Sequence, residues 1–247
     1  MDKKQVIAVW FSCGAASAVA AMLTLFHYGE THEVLIVNNP VDEEDSDNLR
    51  FLKDVSEWLG QPVLSAKNTE VDTTSAYDIW EKRKYMSGVK GAPCTMLLKK
   101  GARYEFERKH KIDWHVLGFT IDEMDRHIKF TTRERENVLP ILIDAGLTKN
   151  DCFKILEDAV IDLPRAYKLG YPNANCIGCV KSTSTTYWNH VRKMNPDIFQ
   201  IRAEQSRRLG VRLVRYKGKR IFLDELPPEA TGHKMKSYEC GIFCDTK

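Results

Sequence analysis

Cys176-Ile-Gly-Cys179 puts two thiols on a single turn of chain, a spacing from which both can grip one metal centre. Cys94 lies about 80 residues earlier, directly after Pro93, and the terminal pair Cys240 and Cys244 offers two more thiols. Four thiolates suit zinc and iron–sulfur chemistry alike, and a lone C-x-x-C also serves as a redox pair or as two buried thiols. The chain carries seven cysteines, an odd number. No secretory pattern accompanies them, so reduced thiols in a cytoplasmic protein are expected rather than a disulfide scaffold. The remaining two, Cys13 and Cys152, read as structural.

A second cluster of candidate chemistry follows the first apolar run. Ser12-Cys13-Gly14-Ala15-Ala16-Ser17 joins that run to a helix through residues small enough for an anion to reach the backbone. Unpaired N–H groups and the helix dipole favour a phosphate there, although an ordinary strand-to-helix turn needs small residues too. The Walker A lysine and the three-glycine dinucleotide spacing are both absent. Gly118 and the Glu123-x-x-Arg126 spacing follow another apolar run, where an arginine can pair with phosphate or a cap can form a local ion pair. Lys99 and Lys100 follow Cys94 closely. Asn38 and Asn39 end the second apolar run as ligand contacts or as turn formers before Pro40.

These residues need a frame, and the pattern supplies one. Gln5–Trp10, Val34–Val37, Val63–Leu64, Trp114–Phe119 and Val138–Ile143 are short apolar runs separated by amphipathic or small-residue segments. Alternation of this kind predicts an α/β fold with a parallel sheet and helices on both faces. The spacing predicts helices over 18–27, 76–85 and 95–111, and one after the acidic loop Asp42–Asp47 with Leu49, Leu52, Val55, Trp58 and Leu59 on its buried face. From Thr148, where Thr148-x-x-Asp151 resembles a capping box, the pattern turns helical: about 148–159, 184–194 and 196–209. It ends in an expected hairpin around Lys217-Gly218-Lys219. Residues 1–147 are therefore expected as a nucleotide-binding α/β domain and 148–247 as a helical and hairpin subdomain carrying the C-x-x-C and the cysteine tail.

With 43% hydrophobic and 29% charged residues and a net charge of +3, the composition excludes disorder and low-complexity classes. No uninterrupted apolar run is long enough to span a membrane. Arg202, Arg207, Arg208, Arg212, Arg215, Lys217, Lys219 and Arg220 form a basic stripe with one acid, Glu204, among them. The stripe is a candidate nucleic-acid surface or a solvated face. The seven histidines show no metal spacing and read as surface or packing residues.

Several segments resemble the phosphoadenosine-phosphosulfate (PAPS) and adenylyl-sulfate (APS) reductases of the pyrophosphate-loop ATP pyrophosphatase superfamily. Ser12–Ser17 is similar to its S-G-G-x-D-S loop, with Cys13 in place of the first paired glycine and Ala16 in place of the pyrophosphatases' Asp. That second departure bears on adenylation by ATP more than on binding an adenosine phosphate. Gly118 to Arg126 is similar to the superfamily's G-x-x-x-x-E-x-x-R segment. Cys94 with Cys176 and Cys179 resembles the cluster motif of the iron–sulfur reductases, where Pro93 replaces a second adjacent cysteine. Glu239-Cys240-Gly241-Ile242 resembles their E-C-G-I/L-H ending, with Phe243 for the histidine.

The resemblance implies an adenine nucleotide alpha hydrolase-like fold. It implies an adenosine nucleotide (APS, PAPS or ATP) held by Ser12, Gly14, Ala15, Ser17, Asn38, Gly118 and Glu123. It further implies a 4Fe-4S cluster on Cys94, Cys176, Cys179 and Cys244. Cys240 is then the nucleophile that attacks the sulfate sulfur. Arg126, Lys99 and Lys100 stabilise the leaving group, and a thiol donor such as thioredoxin releases sulfite. Three alternatives stay open: Cys240 itself as the fourth ligand, ATP-dependent thiolation of a nucleobase in RNA or DNA, and a non-catalytic iron–sulfur nucleotide sensor.

Overall fold

The computed structural model describes residues 4–88, 91–233 and 235. Five parallel strands, β1 (Val6–Trp10), β2 (Glu33–Asn38), β3 (Val63–Ser65), β4 (Trp114–Val116) and β5 (Val138–Leu139), form one sheet in the order β3-β2-β1-β4-β5. β1 is central and all five of its residues are buried, which is why it reads as an unbroken apolar run. Its alternate residues divide between the faces. Ile7 and Val9 pack with helices α1 (Ala15–Tyr28), α2 (Asp47–Leu59) and α7 (Lys149–Asp158), whereas Ala8 and Trp10 pack with α4 (Gly101–Lys109) and α5 (Met124–Arg133). The expected α/β architecture, with helices on both faces, is therefore present.

A third core lies beyond the sheet. Ala76, Ile79 and Trp80 of α3 (Ala76–Arg83) and Met86, Ala92 and Leu98 join Tyr187, Trp188 and Val191 of α9 (Thr185–Met194) and Phe199 and Ala203 of α10 (Pro196–Arg208). Leu213 and Val214, at the antiparallel hairpin of β6 (Val214–Tyr216) and β7 (Lys219–Ile221), close this core. Short helices α6 (Ile141–Asp144) and α8 (Arg165–Lys168) and two 3-10 turns, Ile121–Glu123 and Leu223–Glu225, complete the elements of the described residues. Among the described residues no helix is long and apolar enough to cross a membrane.

Three expectations change. The helix expected over 95–111 begins as a π-helical turn, Thr95–Lys100, before continuing as α4. The run Val138–Ile143 breaks after two strand residues and turns into α6. On α2 the buried set is Asn48, Phe51 and Val55, spaced by three and four, and Leu49 falls on the solvent side at 71% exposure.

Candidate functional site

The sheet order reverses between β1 and β4, and α/β sheets bind ligands in the crevice at the carboxyl ends of strands at that switch point. A cavity of about 410 Å³ opens there, within the range of roughly 300–1,000 Å³ typical for small ligands. Its walls come from the turn after β1 (Ser12, Gly14, Ala16, Ser17), the segment after β4 (Gly118, Phe119, Thr120, Glu123, Arg126) and a C-terminal stretch (Lys149, Tyr167, Asn173, Asn175). Lys99, Glu44 and Asn39 line it as well.

The turn after β1 is organised by one hydroxyl. Ser17 Oγ accepts from the backbone N–H groups of Ser12 (3.2 Å) and Gly14 (3.3 Å) and donates to Gly14 O (2.9 Å). The Ala15 N–H donates to the Tyr167 hydroxyl (3.3 Å). Helix α1 thus starts at the cavity wall, which Gly14, Ala16 and Ser17 line. Cys13 has φ 54°, in the left-handed region, which accounts for glycine in the resembling loops. Its thiol is buried, and that burial drives its pKa up, with Glu44 adding to the rise. Gly118 closes the crevice: a Cβ there would sit 2.8 Å from Ser17 N and 3.0 Å from the Ala16 carbonyl carbon. Only a residue without a side chain lets the β4 segment lie against this turn.

Positive charge enters from three elements. Arg126 donates to Glu123 Oε1 (2.8 Å) and lies 4.7 Å over the Phe119 ring. Lys149 donates to Asn173 Oδ1 (2.6 Å) and to Pro172 O, and burial lowers its pKa. Lys99 Nζ donates to Glu44 Oε1 at 3.0 Å, both side chains being nearly buried. Asn39 donates to Ala66 O and Leu98 O, and its buried Oδ1 has no hydrogen-bond partner.

Behind Lys99 lies a smaller, apolar cavity whose wall contains Cys94, Cys176 and Cys179 together with Val41, Trp80 and Lys181. Lys99 therefore lines both spaces. Cys94 immediately precedes the π-helical turn, and the second pair is docked by the Ile177 N–H to Glu43 O (3.0 Å) and the Cys179 N–H to the Tyr187 hydroxyl (2.8 Å). Two buried donors have no acceptor: Nε1 of Trp80, a residue of this wall, and Arg202 Nε, which lies against the Cys176–Cys179 turn at Gly178. Among the described residues no group of three thiol, imidazole or carboxylate side chains is arranged to hold a metal ion. Cys240 and Cys244, expected as nucleophile and fourth ligand, lie outside the described residues. Cys13 and Cys152 are buried in the sheet core and do not line this cavity.

Of the residues singled out in the sequence, Ser12, Gly14, Ser17, Gly118, Glu123, Arg126 and Lys99 come together on the large cavity. Three others do not. Ala15 is buried within α1. Asn38 braces the turn by donating to Phe11 O (2.8 Å) and Cys13 Sγ (3.4 Å). Lys100 is buried on the other side, paired with Glu134 at 3.3 Å. Glu123 also serves its own turn, accepting from Thr120 N. Sequence reasoning missed Lys149 and Tyr167, yet a lysine at the first position of a capped helix opposes the dipole and so marked a position with another purpose. The basic stripe is not uniform. Arg202 is buried, Arg207 pairs with Asp224 and Glu225, and Arg208 pairs with Glu81. Arg212, Arg215, Lys217, Lys219 and Arg220 are exposed on and beside the hairpin.

No family model matches the chain. No curated protein matches it either. Among solved structures it is similar to a U34-tRNA thiolase, NcsA from Methanococcus maripaludis with its 4Fe-4S cluster. Identity is 14%, coverage is 84% of this chain and 72% of that chain, and the TM-score is 0.46. A likeness this distant assigns nothing to the present chain.

Proposed function

We propose that this chain is an adenosine-nucleotide-dependent sulfur-transfer enzyme whose thiols Cys94, Cys176 and Cys179 hold a 4Fe-4S cluster. The observation that carries the reading is the position of Lys99, one side chain lining both the nucleotide-sized cavity and the thiol wall. The donor chemistry suits the cluster: three thiols share a wall that carries no carboxylate, and drawing them into one ligand set falls to the metal and a fourth thiol. Bound there, the cluster would supply one-electron exchange. A fourth thiolate must come from Cys240 or Cys244.

The chain's own residues handle the nucleotide. The first turn of α1 meets the phosphates, while Arg126, Lys149 and Lys99 offset charge that develops as the leaving group departs. Asn39 lines the cavity with a buried Oδ1 that has no donor, an acceptor that a small side-chain turn would present to a ribose hydroxyl or an adenine amino group. With Ala16 in the loop, charge at this cavity is handled by cations rather than by a loop aspartate.

The exposed cations of the hairpin favour a nucleic acid as sulfur acceptor over an activated sulfate. In that reaction a base carbonyl oxygen attacks the α-phosphate of ATP and expels pyrophosphate, and a sulfide donor then attacks the activated base carbon and displaces AMP. Assaying the anaerobically reconstituted chain for pyrophosphate and for sulfite decides the matter. Pyrophosphate release stimulated by RNA or DNA is expected. Sulfite release from PAPS or APS overturns the thiolation reading in favour of reduction, and a preparation releasing neither overturns the enzyme reading.

A further inference from the structure

Arg202 sits at position seven of α10 with 3% of its surface exposed. Its guanidinium lies 4.3 Å from the centre of the Trp80 ring, and Nη1 donates to Gln205 Oε1, which is itself tied down because Gln205 Nε2 donates to Tyr77 O (3.1 Å) and Glu81 Oε1 (3.0 Å). A buried guanidinium is costly unless a counter-charge is near. Here no carboxylate ion-pairs with it among the described residues. The acid whose charge it feels, Glu43, is already committed to capping α3, accepting from Ser75 Oγ (2.8 Å), Ala76 N (2.7 Å) and Tyr77 N (2.8 Å). The other groups whose charge Arg202 feels are Cys176, Cys179 and the Tyr187 phenol.

The C-x-x-C turn approaches α10 closely. Gly178 has φ +70°, and a Cβ on it would lie 3.0 Å from Ile198 Cγ2 and 3.8 Å from Arg202 Nε, the atom that has no acceptor. Trp80, on which the guanidinium stacks, shares a wall with all three thiols and also carries an unaccepted Nε1–H.

We propose that Arg202 is a positioning residue for the thiolate centre, supplying a fixed positive charge and a spare N–H beside the Cys176–Cys179 turn that become satisfied when those thiols ionise on a metal. The proposal rests on the metal-centre reading above. Its distinguishing consequence is that the metal-free protein tolerates loss of the charge, because an apolar side chain in the same space removes a desolvation cost. The metal-loaded protein does not tolerate it.

The test uses the full chain, reconstituted anaerobically with iron and sulfide, as wild type, Arg202→Met and Arg202→Lys. Three quantities are measured: iron release to a chelator, the midpoint potential of the centre, and thermal melting before reconstitution. Arg202→Met is expected to release iron about 10–100-fold faster, the range for losing a group that supports metal ligands. Its potential should move to more negative values, since the reduced centre loses a stabilising cation. Arg202→Lys should recover most of the retention, and melting of metal-free Arg202→Met should not fall below wild type. Unchanged release and potential in Arg202→Met overturn this inference alone, as does a release rate explained by a lower melting point of the metal-free variant. A wild type that takes up no iron overturns the metal-centre reading, and this inference with it.

Discussion

Lys99 and Glu44 form a 3.0 Å ion pair, almost fully buried, in the partition between the large cavity and the thiol wall. Removing one member of such a pair leaves the other charge stranded. Lys99→Met is therefore expected to lower unfolding free energy by about 3–5 kcal/mol, and Lys99→Met/Glu44→Gln to regain most of that loss. Urea unfolding of the two variants checks this; equal stabilities for both would show that the pair is not what holds Glu44.

Gly118→Ala tests the crevice. The added methyl meets backbone rather than a movable side chain, 2.8 Å from Ser17 N. An overpacking cost of about 1–3 kcal/mol is expected, together with a loss of ATP affinity of at least tenfold by calorimetry. An alanine variant that binds ATP like wild type would separate the crevice from the nucleotide.

Thiol reactivity should sort by location. Burial raises the Cys152 thiol to about 12 and pushes Cys13 higher still, so neither thiolate forms at neutral pH. Iodoacetamide is expected to spare both in the native, metal-free chain while labelling the half-buried Cys94 and Cys176. Reconstitution with iron should protect the latter pair. Mass spectrometry of the digested protein reads both outcomes.

A pH dependence follows from His115, which is fully buried, accepts from Trp10 Nε1 (3.0 Å) at Nδ1 and has its pKa held down to about 3 by desolvation and then by Arg135 and Arg103. In the unfolded chain the same imidazole titrates near 6.5. Between those values the unfolded state binds the extra proton. The contribution is complete above about pH 6.5 and falls by up to about 1.4 kcal/mol per unit as pH drops towards 3. Urea midpoints at pH 7, 5 and 4 should show this decline, and His115→Gln, which keeps an acceptor but does not titrate there, should flatten it.

Charge on the hairpin is separable from charge at the cavity. Arg215→Glu/Lys219→Glu is expected to weaken RNA binding and reduce its salt dependence by about two counterions, while leaving ATP affinity intact. Filter binding across a salt series measures the slope. An unchanged slope would remove the hairpin from any nucleic-acid surface.

The sheet was legible because its strands are locally apolar and separated by capped helices; Thr148 and Asp151 form the capping box that their spacing predicts. The turn after β1 and Gly118 were legible for a similar reason, since small residues at a strand end admit few other purposes. What stayed hidden depends on partners distant in sequence. The acidic segment Asp42–Asp47 looks like a solvated loop, yet Asp45 is buried against Arg165, Glu43 caps α3 and Asn48 donates to Ala174 O (3.0 Å). Arg202 reads as one more cation in a basic stripe because nothing local marks its burial under Trp80. Lys100 follows the same cysteine as Lys99, and one residue of helical rotation sends it to the opposite side.

That rotation depends on winding as well as composition. A π-helical turn bonds each N–H one residue further back than an α-helix does, so Thr95–Lys100 contains a residue that α-helical winding would omit. Wound as an α-helix, the same six residues would carry everything before them round by the rotation of one further residue, about 100°, relative to α4. Cys94 would leave the thiol wall with the composition of the segment unchanged. The winding is thus as much a part of the thiol wall as the cysteine itself, and Cys94 and Lys99 reach these two cavities together only while the π-helical turn persists.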